Sequence, residues 1–173
     1  MPARVIALGQ AAAGDDGVAL VILEQLRAHG VPDGVELLHA ADAFALVPLL
    51  DTATPVVIVD AVLHAPDGEV LELSPQQLAE RDVRPISTHG VGVCQAIELA
   101  YTLAPEKGTP AIRIVAVSIN QPRRYAQQLS RAVAAAVPLA VERVLAVIGG
   151  SGRGPVLSGA RPPGNSIARL RML

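Results

Sequence analysis

Four apolar residues in a row, Val56 to Val59, run straight into a carboxylate, Asp60. A short continuous apolar run flanked by turn-forming residues reads as a strand covered on both faces. Such a strand needs a layer on each side of its sheet, and the chain supplies the material. A second aliphatic run, Arg4 to Leu8, ends at Gly9, and the stretch from Gly14 to His29 reads as a helix stopped by Gly30. Its set Val18, Val21, Ile22 and Leu26 falls on one face at helical spacing. Val35–Leu38 reads as a further strand, followed by a short helix over 43–50 that Thr54-Pro55 breaks. Val70–Leu73 alternates and belongs at a sheet edge with one wet side; Ser74-Pro75 then caps and starts a short helix. A helix over 90–103, a last central strand over 112–117 and a long helix over 130–147 complete the pattern, with Pro138 expected to kink the last helix or restart it. Strands alternating with helices imply an α/β fold. The expected form is a three-layer sandwich around an about five-stranded, mostly parallel twisted sheet with helices on both faces.

This reading puts residues 1–148 in a single α/β domain. From Gly149 the composition changes: the final 25 residues hold four Arg, several Gly and Pro, and no acidic residue. We read 149–173 as a disordered Gly/Pro/Arg-containing tail.

Composition excludes several roles. Aromatic residues make up 2% of the chain, leaving few faces on which nucleic-acid bases could stack. The net charge of −2 gives no basic footprint, so no nucleic-acid partner is expected. The single cysteine, Cys94, allows no internal disulfide and fits a reducing compartment. No apolar stretch approaches the roughly 20 residues of a membrane span. The expectation is a cytoplasmic protein with no membrane partner.

Chemistry gathers at three points. Asp16 follows the first strand and its turn, Asp60 ends the VVIVD run, and His89 sits in ISTHG ahead of a helix. In open α/β sheets functional groups collect outside the carboxyl ends of the strands. Read alone, Asp15-Asp16 caps the helix it precedes. Asp60 is harder to treat as structural, because a carboxylate at the mouth of a buried strand must be bonded, paired or metal-bound. Together, two carboxylates and an imidazole make an O/O/N site suited to a divalent metal such as Zn²⁺ or Ni²⁺, and ligand type alone does not choose between them. Cys94 reads as a small buried residue, His64 as a solvated loop residue, and His39 as a rim residue of the same mouth. The turn GQAAAGDDG lacks both GxGxxG and a GKS or GKT ending, which argues against a nucleotide loop. Arg123-Arg124 reads as a solvated loop rather than an anion site.

The same residues carry a family resemblance. VIALG with GDDGV, VVIVDAV, STHGVG and SRAVAAAVPLAVERVLAVI together resemble the hydrogenase maturation proteases, over Arg4 to about Ile148. The resemblance implies a metal site of Asp16, Asp60 and His89. It implies an endopeptidase that removes the C-terminal extension of a nickel-iron hydrogenase large-subunit precursor after nickel insertion. Nickel would arrive with the substrate; a resident zinc with an activated water is the chemical alternative. Which residues are catalytic stays open, with Asp16 and Asp60 the candidates for an aspartic-type mechanism. The chain departs from the family pattern at two turns. A GxGN segment is replaced by GQAAAGDD, and a DGGT-type turn by 39–44, which has no glycine. Those changes favour an alternative, a divergent member that binds a metal-loaded partner without cutting. A flavodoxin-like small-molecule binder using the turn from Gly9 to Gly17 is a further one.

Overall fold

The computed structural model describes residues 2–10, 14–80, 84–85, 92–105, 110–120 and 127–150. Strands β1 (Ala3–Leu8), β2 (Val35–Ala40), β3 (Val56–Leu63), β4 (Val70–Leu73), β5 (Arg84–Pro85) and β6 (Ile112–Ile119) form one sheet. Five of them lie in the order β2-β1-β3-β6-β4, and two-residue β5 pairs antiparallel with the end of β3. The pairs β1–β2, β1–β3 and β3–β6 are parallel, and β4 closes the edge antiparallel to β6. The mostly parallel sandwich expected from the sequence is therefore the fold. Edge strand β4 buries alternate residues, as its sequence alternation predicts.

The helices are α1 (Val18–His29), α2 (Ala43–Leu46), α3 (Pro75–Glu80), α4 (Val93–Leu103) and α5 (Arg131–Ile148). Strand β3 sorts them into two layers because successive side chains point to opposite faces. Val56, Ile58 and Val62 pack into the core shared with α2, α3 and α4. Val57, Val59 and Ala61 pack into the core shared with α1 and α5. Aliphatic strand residues buried on both faces, with small Ala on the helices, let the layers approach closely.

Several local expectations change. Helix α1 begins at Val18, after a 3-10 turn at Gly14–Gly17, and among the described residues no side chain caps it. Its buried stripe is Val18, Ala19, Ile22, Leu23 and Leu26, while Val21 is 37% exposed and leaves the predicted core set. The short helix after β2 is split into α2 and a 3-10 turn at Val47–Leu50. Helix α5 runs unbroken through Pro138, so the proline neither ends it nor starts a second helix; its missing N–H removes one helical bond within 18 residues. Ser74 and Gln77 bond each other's backbone N–H groups and open α3 as predicted. The reading of the chain beyond Gly150 as a tail lies outside the described residues.

Candidate active site at the strand switch

Strand β1 lies between β2 and β3, so the chain leaves it in one direction and returns on the other side. The carboxyl ends of β1 and β3 flank this reversal, which is where open α/β sheets bind ligands. The turn carrying Asp16 follows β1 and packs against β3, the strand carrying Asp60.

Asp60 is not at the end of its strand. Strand β3 continues to Leu63 because β6 is equally long and pairs with it through Leu63↔Ile119. On the other side the β1 register stops at Ala7↔Val59. Asp60 is thus the first β3 residue past the β1 ladder, and the mouth is formed by the short strand. By strand alternation it falls in the row of Ile58 and Val62, which faces the layer of α4. It is 8% exposed, and its Oδ1 accepts the Ala61 N–H at 2.8 Å. Burial pushes its carboxyl up to about 8; the Ala61 bond opposes this, and the nearby Asp16 charge adds to it. Asp16 is half-buried, and burial raises its carboxyl too.

The structure therefore brings Asp16 and Asp60 close enough for their charges to interact. His89, the third predicted ligand, lies outside the described residues. Among the described residues no group of three His, Cys, Asp or Glu side chains forms a metal-binding set. The two carboxylates do suit a divalent cation: a buried acid that resists ionising beside a second acid is relieved by a positive charge between them. Both are hard oxygen donors, and an imidazole would complete a borderline-metal set.

Asp15 does different work from the one its position suggests. It is 5% exposed and accepts the backbone N–H of Ser130 at 2.5 Å. Ser130 is the residue before α5, and its own buried hydroxyl makes no hydrogen bond among the described residues. Asp15 caps the last helix rather than the one it precedes, and it ties the Asp16 turn to α5. No pattern in the sequence names a partner 115 residues away.

The floor of the turn depends on Gly9. Its φ is +137°, and a Cβ there would lie 2.8 Å from the Asp16 carbonyl oxygen, so only glycine permits this approach. The rim follows from it. Gly9 N–H donates to Ala40 O at 3.1 Å, and His39 Nε2 donates to Gly9 O at 2.8 Å. His39 is a rim residue, as predicted. The glycine-free turn beyond it closes by another device: Asp42 is extended at φ −154° and accepts the Ala45 N–H at 2.8 Å. That turn needs no glycine at the capping position.

The other candidates are structural. Cys94 is half-buried, its Sγ lies 3.7 Å from Pro75 O, and burial with the Glu98 charge raises its thiol, which disfavours a nucleophilic thiolate. His64 pairs with Glu69 at 3.7 Å. Arg123 and Arg124 lie outside the described residues.

Comparison with known proteins agrees with this fold. A comparison with curated proteins found no match. Among solved structures, the hydrogenase maturating endopeptidase HybD from E. coli superposes with a TM-score of 0.67 at 21% identity, over 88% of this chain and 94% of that one. HybD from Thermococcus kodakarensis, a [NiFe] hydrogenase maturation protease, gives 0.65 at 23% identity, over 82% and 95%. An endopeptidase from Escherichia coli gives 0.72 at 23% identity, over 88% and 94%. At such identities the superpositions speak for the fold. The family follows from sequence: the hydrogenase maturation protease model matches residues 20–147, from the first turn of α1 almost to the end of α5. The chain belongs to the hydrogenase maturation protease family, and it is a peptidase of that family.

Proposed function

We propose that this chain is a cytoplasmic endopeptidase that removes the C-terminal extension of a nickel-iron hydrogenase large-subunit precursor once nickel has been inserted. The observation that carries the reading is the convergence of Asp16 and Asp60 at the β1–β3 switch in a chain of this family. Asp16, Asp60 and His89 engage the nickel that the substrate carries, with a resident zinc as the alternative. When bound, a divalent metal polarises a carbonyl or activates a water.

The chain's own residues set the conditions. With its carboxyl near 8, Asp60 holds a proton at neutral pH, so an approaching cation must displace it. A nickel-free precursor brings no cation to take that proton's place. Asp15 and Gly9 hold the backbone of the Asp16 turn in register with β3. Among the described residues no helix is long and apolar enough to cross a membrane, which fits a substrate met in the cytoplasm.

The test is a processing assay with purified protein and nickel-loaded or nickel-free precursor, read by the mass of the large subunit. Loss of a C-terminal peptide from the loaded form alone is the expected result. Capture of an uncut loaded precursor would identify the non-cutting alternative. Alanine at Asp16, Asp60 or His89 should abolish processing while the protein stays folded.

A further inference from the structure

A groove of about 510 Å³ lies at the amino ends of the three central parallel strands, away from the mouth where Asp16 and Asp60 meet. Ala3 at the start of β1, Pro55 and Val56 at the start of β3, and Ala111 just before β6 line it. The end of α5 lines it too, with Val147 and Ile148 only partly buried. Its charged side chains are Glu72 and Arg113, and Glu72 is already held by Arg113 at 3.9 Å and Arg143 at 3.5 Å. The remaining lining is aliphatic, proline and glycine. The chain leaves α5 at this groove, since Gly149 and Gly150 also line it. Gly150 has a φ of +74°, and its N–H donates to Val147 O at 3.3 Å, the left-handed turn that ends a helix. A Cβ at Gly150 would meet nothing within 4 Å, so the exit is open.

We propose that residues 153–157 of the same chain, RGPVL, dock in this groove, with Pro155, Val156 and Leu157 against its aliphatic lining and Arg153 at its rim. Four observations select this occupant. First, the segment is tethered at the groove itself: Arg153 comes three residues after Gly150, and so short a linker gives an effective concentration of order mM, which a separate molecule must exceed. Second, the length fits. The lining runs from β1 across β3 to β6, two strand spacings or about 10 Å. The six residues from Gly150 to Val156 reach up to about 20 Å. Third, the apolar match is specific to this stretch: Pro155-Val156-Leu157 is the first aliphatic group after α5, and burying it removes both surfaces from water. Fourth, the charges agree. Residues 151–173 hold four Arg and no acid. Asp33, next to the lining residue Pro32, is exposed and makes no ion pair among the described residues. With Glu72 already paired, an arginine is drawn to Asp33 at the rim and not into the groove. Docking there covers the foot of the sheet and leaves the Asp16–Asp60 mouth free, so this contact is independent of whether the protein cuts.

The chain has no tryptophan, so one introduced into the full-length protein reports its own surroundings. Leu157→Trp and, separately, Gly164→Trp are compared by acrylamide quenching of fluorescence. Quenching at position 157 should be at least about threefold weaker, because a docked residue is accessible only in the open minority state. Adding Ala111→Arg, a bulky charge at an exposed lining position, should raise quenching at 157 to the level at 164 while far-UV circular dichroism stays unchanged. Shielding that survives Ala111→Arg puts the segment elsewhere and overturns the proposal. Shielding that grows with protein concentration means that a second copy's segment fills the groove, which also overturns it. Hydrogen exchange of the unaltered chain decides the matter if tryptophan does not fit: the amides of Val156 and Leu157 should exchange at least about tenfold more slowly than those of Ile167 and Ala168. Equal exchange at both places overturns the docking.

Discussion

Asp60 gives the stability of the fold a dependence on pH. Its carboxyl ionises near 3.9 in an unfolded chain and near 8 in the fold. Between those values the native state binds more protons than the unfolded one, so stability falls as pH rises through this window. Asp60→Asn removes that dependence, and urea unfolding at pH 5 and pH 8 should show a smaller difference for the variant than for the wild type. An identical slope in both proteins would mean that Asp60 ionises normally. Asp15 makes a separate prediction. Asp15→Ala strips the N-terminus of α5 of its acceptor and should cost about 1–3 kcal/mol by denaturant midpoint, whereas Asp15→Asn keeps an acceptor oxygen and should cost less. Sequence made Asp16 and Asp60 legible as a pair because a carboxylate after an apolar strand is chemically conspicuous. It did not reveal the task of Asp15, since a capping residue looks the same whichever helix it caps.

Gly9 ends the run of β1, and its backbone is one that other residues adopt only with strain. Gly9→Ala would drive a methyl group to within 2.8 Å of the Asp16 carbonyl at a φ of +137°. Such strain costs of order 1–3 kcal/mol. Processing should fall by more than this loss of stability accounts for, because the displaced atom belongs to the site; a parallel thermal melt and processing assay separates the two effects. The strands were legible as elements, and their ends were not. The sequence reading stopped β3 at Val59 because a buried charge looks like a terminus. The strand goes on because Ala61 and Val62 pair with β6 while β1 falls short. The face of α1 was misassigned in part for a similar reason: Val21 has helical spacing from Val18, but Ala19 and Leu23 complete the buried stripe.

At the scale of the whole molecule, layer order and strand topology place the two carboxylates together from positions 44 residues apart in the chain, 16 and 60. The alternation of strand and helix already implied the layers, and the switch-point rule then implied where the site would be. What the sequence could not supply was the strand order, which depends on pairings between distant segments. The assembled pair makes a prediction for the intact protein. Added Ni²⁺ should raise the melting temperature of the wild type, because a ligand that binds only the folded state stabilises it. The rise should grow between pH 6 and pH 8 as the proton on Asp60 becomes easier to displace. Asp60→Asn and Asp16→Asn should each lose most of the shift; a full shift in either variant would place the cation elsewhere.

The bond between Asp15 and Ser130 also has a consequence for the order of events during synthesis. The turn that presents Asp16 is made early on the ribosome, but its anchor belongs to the last helix. Until Ser130 has been made and that helix has docked, the turn lacks this bond to the rest of the fold. A nascent chain thus carries the Asp16 turn before it carries the contact that ties it down.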